Sequence, residues 1–98
     1  MKRRVIWSPR ARANLREQIS HIVADHPTAA TRVAKRIRET GQALGDFATG
    51  HPGRVAGTYE KSVPRLPYIL AYALTDQTIV ILRLIHTARD WSEGEWPE

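Results

Sequence analysis

The fold of this chain is decided by the runs Tyr68-Ile-Leu-Ala-Tyr-Ala-Leu74 and Thr78-Ile-Val-Ile-Leu-Arg-Leu-Ile85, with a polar turn at Asp76-Gln77 between them. Two apolar runs joined by so short a turn predict an antiparallel hairpin at the centre of a small sheet. Both runs are apolar on both faces, which is typical of strands covered on two sides. Helices can cover one face, so we expect the other face to be open and to need a partner.

Upstream of this hairpin, the segment Arg4-Val-Ile-Trp7 predicts a short strand that gives way to a helix at Ser8. Serine is a preferred N-cap, and Pro9 loses nothing at the first helical position. Apolar residues at helical spacing continue to about Asp25, where His26-Pro27 ends the helix because the residue before proline is pushed out of helical geometry.

A second helix is predicted to begin at Pro27 or Thr28 and to end near Gly45, so that the two helices form a tight hairpin. The Gly- and Pro-rich residues 47–57 predict a loop. A further strand follows over residues 58–63, and the prolines of the next turn leave Arg65 displayed at its tip. The expected fold is therefore α+β in the order β-α-α-β-β-β: an N-terminal strand, a helical hairpin and an antiparallel sheet of three further strands, in one domain spanning residues 1–98.

Composition narrows the class of partner. Fifteen Lys and Arg against ten Asp and Glu give a net charge of +5 and favour an anionic partner, such as nucleic acid or an acidic protein segment. The absence of cysteine excludes disulfides and thiolate metal sites and fits the cytoplasm. No apolar run reaches the roughly 18 residues of a membrane span, and the histidines make no metal-ligand spacing. We expect no membrane insertion, metal or cofactor.

Four segments together carry a resemblance to a known family. They are Trp7-Ser-Pro-Arg-Ala11, Pro52-Gly-Arg54, Val63-Pro-Arg-Leu-Pro-Tyr-Ile-Leu-Ala-Tyr72 and Val80-Ile-Leu-Arg-Leu-Ile-His-Thr-Ala-Arg-Asp-Trp91. In this combination the chain resembles the RelE/ParE superfamily of bacterial toxins. The resemblance implies the toxin of a type II toxin-antitoxin pair, in a hetero-oligomer with a cognate antitoxin whose C-terminal segment wraps the toxin.

Two activities share this superfamily, and fold cannot separate them. The local sequence is more similar to ParE-like members, which implies a protein that poisons DNA gyrase without covalent chemistry of its own. The alternative is a RelE-like, ribosome-dependent endoribonuclease of mRNA. Such an enzyme needs an acid or base and several converging cations, for which the candidates are His86, Arg83, Arg65 and Arg89. Against it, Ile69 stands where RelE-like nucleases carry an arginine.

We expect the partner to contact residues of the hairpin, of the turn before it and of the segment after it. These candidates are Arg65, Tyr68, Leu70, Tyr72, Arg83, Leu84, His86, Arg89 and Trp91. Structural alternatives stay open: the two tyrosines can be core residues, His86 can cap its strand, and Arg83 can pair with Glu60 or with an acid of the C-terminal tail.

Charge is also concentrated near the N-terminus. Six basic residues and no acidic one lie between Lys2 and Arg16. Such a run indicates either a solvated helix face or contact with a phosphate backbone or an acidic protein surface.

Overall fold

Two helices pack on one face of a five-stranded sheet in this computed structural model, which describes residues 2–88. The helices are α1 (Pro9–Asp25) and α2 (Pro27–Ala43). The strands are β1 (Arg4–Trp7), β2 (His51–Pro52), β3 (Tyr59–Ser62), β4 (Tyr68–Leu74) and β5 (Thr78–His86). Their order across the sheet is β1-β5-β4-β3-β2, with β1 parallel to β5 and the other neighbours antiparallel. The predicted α+β architecture is confirmed, with the short strand β2 added inside the predicted loop.

Local capping explains where both helices begin. Ser8 is the N-cap of α1, and its Oγ accepts a hydrogen bond from the Ala11 N–H at 3.0 Å, while Pro9 occupies the first helical position. His26 lies between the helices: its N–H donates to the Ile22 carbonyl, and its own carbonyl accepts from the Ala30 N–H. One residue therefore closes α1 and opens α2, which makes the helical hairpin tight. Within residues 2–88, neither helix has the length and apolar character that a membrane crossing requires.

The core lies between the helical hairpin and the face of the sheet beneath it, called here the helix-side face. Its fully or nearly fully buried members are Ala11, Leu15, Ile37, Tyr68, Leu70, Tyr72, Ile79, Ile81 and Leu84. Each large aliphatic side chain contributes roughly 1.5–3 kcal/mol on burial. Gly41 lets α2 approach closely, because a Cβ there would lie 2.8 Å from Ile81 Cδ1 and 3.0 Å from Trp7 Cζ2.

One irregularity interrupts the central hairpin. Ala71 pairs with Arg83 but Tyr72 pairs with Ile81, so the β4 register passes over Leu82. This is a β-bulge, which leaves one residue of the longer strand out of the ladder. The N-cap of α1 and a residue of its second turn form hydrogen bonds with the backbone at the bulge. Ser8 Oγ donates to the Leu82 carbonyl at 3.1 Å, and Asn14 Oδ1 accepts from the Leu84 N–H at 3.2 Å.

The Asn14 contact gives a first testable expectation. Replacing Asn14 by alanine should lower the free energy of unfolding by about 1–3 kcal/mol, because the Leu84 N–H loses its acceptor beneath α1. Urea unfolding followed by circular dichroism measures the change. Asn14→Asp keeps an acceptor oxygen and should lose clearly less, whereas an alanine variant as stable as wild type would show that this bond contributes nothing.

Candidate functional site

Four of the predicted partner-binding residues belong to the core. Tyr68, Leu70, Tyr72 and Leu84 are between 0 and 4 % exposed and lie on the helix-side face under the helical hairpin. They are inaccessible to a partner in this structure, so we assign them to packing. The structural alternative for the two tyrosines, that they are core residues, is therefore what the structure shows.

Tyr72 has a further structural task beyond packing. Its hydroxyl donates to the Thr49 carbonyl, and its ring stacks on Tyr59 with the centroids 5.7 Å apart. Burial raises the pKa of the Tyr72 hydroxyl above its ordinary value, Tyr59 raises it further, and Arg3 opposes the shift. The hydroxyl therefore remains a proton donor and ties the segment around Thr49 to the centre of the sheet.

His86 ends β5 and is used for local structure. Its Nδ1 accepts a hydrogen bond from the Ala88 N–H at 3.2 Å, and its ring meets Tyr68 edge-on with the centroids 5.2 Å apart. The alternative that His86 caps its strand is confirmed. Because it pairs with Tyr68 across the hairpin, His86 lies on the helix-side face.

Arg83 lies on the opposite face of the sheet, called here the second face. Glu60, Ala71 and Arg83 form one row across β3, β4 and β5. The backbones of Glu60 and Arg83 are therefore about 10 Å apart, with Ala71 between them. The Glu60 carboxylate accepts from the Arg54 N–H at 3.1 Å, which gives it a local role in holding the loop that follows β2.

The expectation of an open second face is corrected along this row. Glu60 and Ala71 are 4 % and 0 % exposed, and Ile85 on the same face is 1 % exposed. Arg83 itself is half-buried. The centre of the second face is thus covered in this structure, and burial of its apolar side chains stabilises the fold.

Two of the predicted catalytic residues, His86 and Arg83, do not converge. His86 and Arg83 lie on opposite faces, and Arg65 is exposed at the tip of the turn before β4, with φ at +65°. The displayed Arg65 confirms that part of the prediction. Arg89 and Trp91 lie outside the described residues. General acid–base catalysis needs its groups within hydrogen-bond reach of one reacting centre, which this arrangement does not provide for His86 and Arg83.

The β1 edge of the sheet carries another candidate surface, which the sequence did not identify as a site. Apolar side chains lie beside cationic ones there. This arginine groove has a volume of about 560 Å³ and is lined by Val5, Ile6, Trp7, Arg12, Leu15, Arg16, Arg38 and Gln42. Among the described residues that line this groove, every charged one is an arginine. Ile6 is 39 % exposed, so the groove presents apolar surface as well as charge to a partner.

The backbone of β1 adds hydrogen-bonding groups to the arginine groove. The N–H groups of Arg4 and Ser8 donate inward to the carbonyls of Gln77, just before β5, and Ile81 of β5, so the alternate residues between them direct their backbone groups outward. At one end, the Trp7 carbonyl accepts from Arg12 Nη1 at 3.1 Å. At the other, the Arg3 N–H donates to the Gly45 carbonyl at 2.7 Å. Val5 lies between these two hydrogen-bonded ends. Its outward backbone groups are able to pair with an added segment, as those of an edge strand do.

The basic run near the N-terminus was the available signal for this surface. Arg12 and Arg16 lie one turn apart on α1, as the spacing predicted, but Arg38 comes from the other helix. The sequence does not specify how far α2 is rotated against α1. It therefore could not place the third guanidinium beside the first two.

Known proteins match the chain over most of its length. A model of the family described as "ParE toxin of type II toxin-antitoxin system, parDE" matches residues 5–91. The protein Y4kP of Sinorhizobium fredii, provisionally named a toxin, is 34 % identical over 93 residues, which cover 94 % of this chain and 96 % of Y4kP.

Two solved structures share the fold. One is the chromosomal ParDE toxin-antitoxin system of P. aeruginosa, with a TM-score of 0.79 and 25 % identity, covering 85 % of this chain and 94 % of the other. The second is the toxin-antitoxin complex RelBE2 of Mycobacterium tuberculosis, with a TM-score of 0.63 and 27 % identity, covering 88 % and 92 %. Both similarities extend over the helical hairpin and the sheet together.

Proposed function

This chain belongs to the ParE toxin family of type II toxin-antitoxin systems, and from that membership we propose that it arrests growth by inhibiting DNA gyrase in the cytoplasm until a cognate antitoxin neutralises it. The observation that carries the choice of a non-enzymatic inhibitor is the placement of His86 and Arg83 on opposite faces of the sheet. A protein inhibitor needs a recognition surface and no converging acid, base and cations. The arginine groove offers such a recognition surface among the described residues.

The arginine groove supports an antitoxin partner of definite chemistry. A segment that folds on binding gains most from a surface that offers apolar contacts, charge and free backbone groups at once. Arg16 and Arg38 favour carboxylates, and Ile6 with Leu15 favours aliphatic side chains. We therefore propose that an acidic, aliphatic segment of the antitoxin occupies this groove.

A supercoiling assay tests the proposed activity. Purified toxin should block the supercoiling of relaxed plasmid by gyrase or trap cleaved DNA at micromolar concentration, and an equimolar amount of antitoxin should restore supercoiling. The assay is run beside a sample of toxin that was mixed with antitoxin before gyrase was added. Full supercoiling at micromolar free toxin would reject gyrase as the target.

The second candidate is mRNA cleavage, the activity that the resemblance to RelE-like members implies, and the toxin-antitoxin complex RelBE2 shares the fold at 27 % identity. Its catalytic set would draw on Arg65, Arg83 and His86, with Arg89 beyond the described residues. Primer extension on translated messages after induction separates the two functions. Under the leading proposal no codon-phased cuts appear, whereas phased cuts that disappear in His86→Ala would establish the nuclease instead.

A further inference from the structure

We propose that a groove beside Phe47, separate from the arginine groove, is the surface through which this toxin engages a folded protein target. This inference rests on the proposed function, since it assumes that the toxin acts by binding a cellular protein. The occupant we infer is an apolar projection of that protein flanked by a carboxylate. The antitoxin segment is assigned to the arginine groove.

The Phe47 groove lies between the C-terminal half of α2 and the β3 side of the sheet. Its volume is about 490 Å³, and it is lined by Arg36, Glu39, Thr40, Ala43, Leu44, Phe47, Thr49, Lys61 and Pro64. It forms because α2 packs over β1 and β5, with Gly41 against Trp7 and Ile81, and so leaves β3 beyond its edge. The two grooves therefore lie on either side of α2.

Phe47 is an exposed aromatic residue whose backbone is held by hydrogen bonds. Its side chain is 77 % exposed. Its N–H donates to the Ala43 carbonyl at 3.1 Å, and its carbonyl accepts from the Thr49 N–H at 2.8 Å. The Thr49 carbonyl in turn accepts from the hydroxyl of Tyr72, which is buried in the core. A ring presented on so constrained a backbone loses little entropy on binding, which is the property of an interface anchor.

The charges around Phe47 differ in kind from those of the arginine groove. Arg36 and Lys61 stand with the acid Glu39, and Arg36 Nη1 donates to the Pro64 carbonyl at 3.4 Å across one end of the groove. Interfaces between folded proteins are enriched in aromatic residues and arginine and have a polar rim, which matches Phe47 and Arg36 with Glu39 and Lys61 around them. The arginine groove, positive throughout its described lining, instead favours a flexible acidic segment drawn in by long-range attraction. Two cations and one acid among the described residues line the Phe47 groove, so its net positive charge still favours a carboxylate on the target.

The test compares Phe47→Ala with Val23→Ala, a matched loss of an exposed apolar side chain. Val23 is 46 % exposed on α1 and lines neither groove. Two quantities are measured: the toxin concentration that halves gyrase supercoiling, and the dissociation constant for the antitoxin encoded beside the toxin. We expect Phe47→Ala to raise the first at least about 10-fold and to change the second less than about 2-fold. Val23→Ala should change neither.

Further variants keep the result independent of folding. Phe47→Leu should recover part of the inhibition, and Lys61→Glu, on the opposite wall, should weaken it without using Phe47. Thermal melting by circular dichroism should place Phe47→Ala close to wild type, because the ring is exposed. If Phe47→Ala is destabilised, Lys61→Glu decides: unchanged inhibition by that variant overturns the proposal.

Weaker antitoxin binding with unchanged inhibition overturns the proposal and gives the groove to the antitoxin, and no change in either quantity also overturns it. If the wild-type toxin does not inhibit gyrase, the proposed target fails separately, and growth arrest after induction without antitoxin becomes the measurement. Loss of arrest in Phe47→Ala alone then supports the groove for a different protein target, and retained arrest overturns it.

Discussion

Replacing Gly50 by alanine is expected to lower the free energy of unfolding by about 3–5 kcal/mol, a large part of the roughly 5–15 kcal/mol that stabilises a domain of this size. Gly50 has φ at +120°, a backbone conformation that costs about 1–3 kcal/mol for a residue with a side chain. In addition, a Cβ there would lie 2.5 Å from the Glu60 carbonyl oxygen. That atom belongs to the β3 backbone, so it cannot move aside without disturbing the β2–β3 pairing.

Gly57 supplies the matched control. It also has positive φ, at +84°, but a Cβ there would meet no atom within 4 Å among the described residues. Gly57→Ala should therefore cost only the backbone strain, about 1–2 kcal/mol. Urea unfolding of both variants, followed by circular dichroism, gives the difference. Equal losses would mean that β3 relaxes around the new methyl group and that close contact at Gly50 carries no additional cost.

Reversing the charge of Arg16 and Arg38 is expected to weaken antitoxin binding by on the order of 10- to 100-fold at low ionic strength. Both side chains line the arginine groove from different helices, so Arg16→Glu with Arg38→Glu places two carboxylates where we propose acidic residues of the antitoxin. Arg12 is kept, because its Nη1 holds the Trp7 carbonyl. Most of the loss should appear in the association rate and should shrink as salt is added, because screening reduces long-range attraction.

The control is a double variant with the same change in net charge. Arg32 and Lys35 are exposed on α2 and lie outside the described lining of the arginine groove. Arg32→Glu with Lys35→Glu should weaken binding by only a few-fold, through overall charge. Surface plasmon resonance at two salt concentrations measures both variants. Equal effects of the two doubles would remove the arginine groove from the antitoxin interface.

Local chemistry made much of this fold predictable. Ser8-Pro9 specified the start of α1 through capping and proline geometry, and His26-Pro27 specified the break between the helices. The apolar runs beginning at Tyr68 and Thr78 gave β4 and β5 with their short turn. Each of these signals lies within a few residues of the feature that it determines. The one-domain organisation over residues 1–98 stays a prediction.

The features of the structure that the sequence did not predict depend on contacts between distant segments. Period-two alternation correctly places Tyr68, Leu70 and Tyr72 on one face, but it cannot say that the helices cover that face completely. The pairing of β1 beside β5 and the rotation that brings Arg38 next to Arg16 are equally non-local. Four of the nine predicted contact residues therefore lie in the core, while the arginine groove and the Phe47 groove were not predicted.

The unpaired residue Leu82 determines which way the second half of β5 is oriented. Strict alternation from Ile79 and Ile81 would turn Arg83 toward the helices, yet the half-period offset at Leu82 sends Leu84 there instead. Pairing Leu82 regularly in the ladder would therefore turn the Arg83 guanidinium toward the aliphatic core, whereas deleting Leu82 would join Ile81 directly to Arg83 and keep Arg83 on the second face. A single-residue deletion at this point should thus preserve the orientation of Leu84 and Arg83, and it should cost mainly the hydrogen bond from Ser8 Oγ to the Leu82 carbonyl.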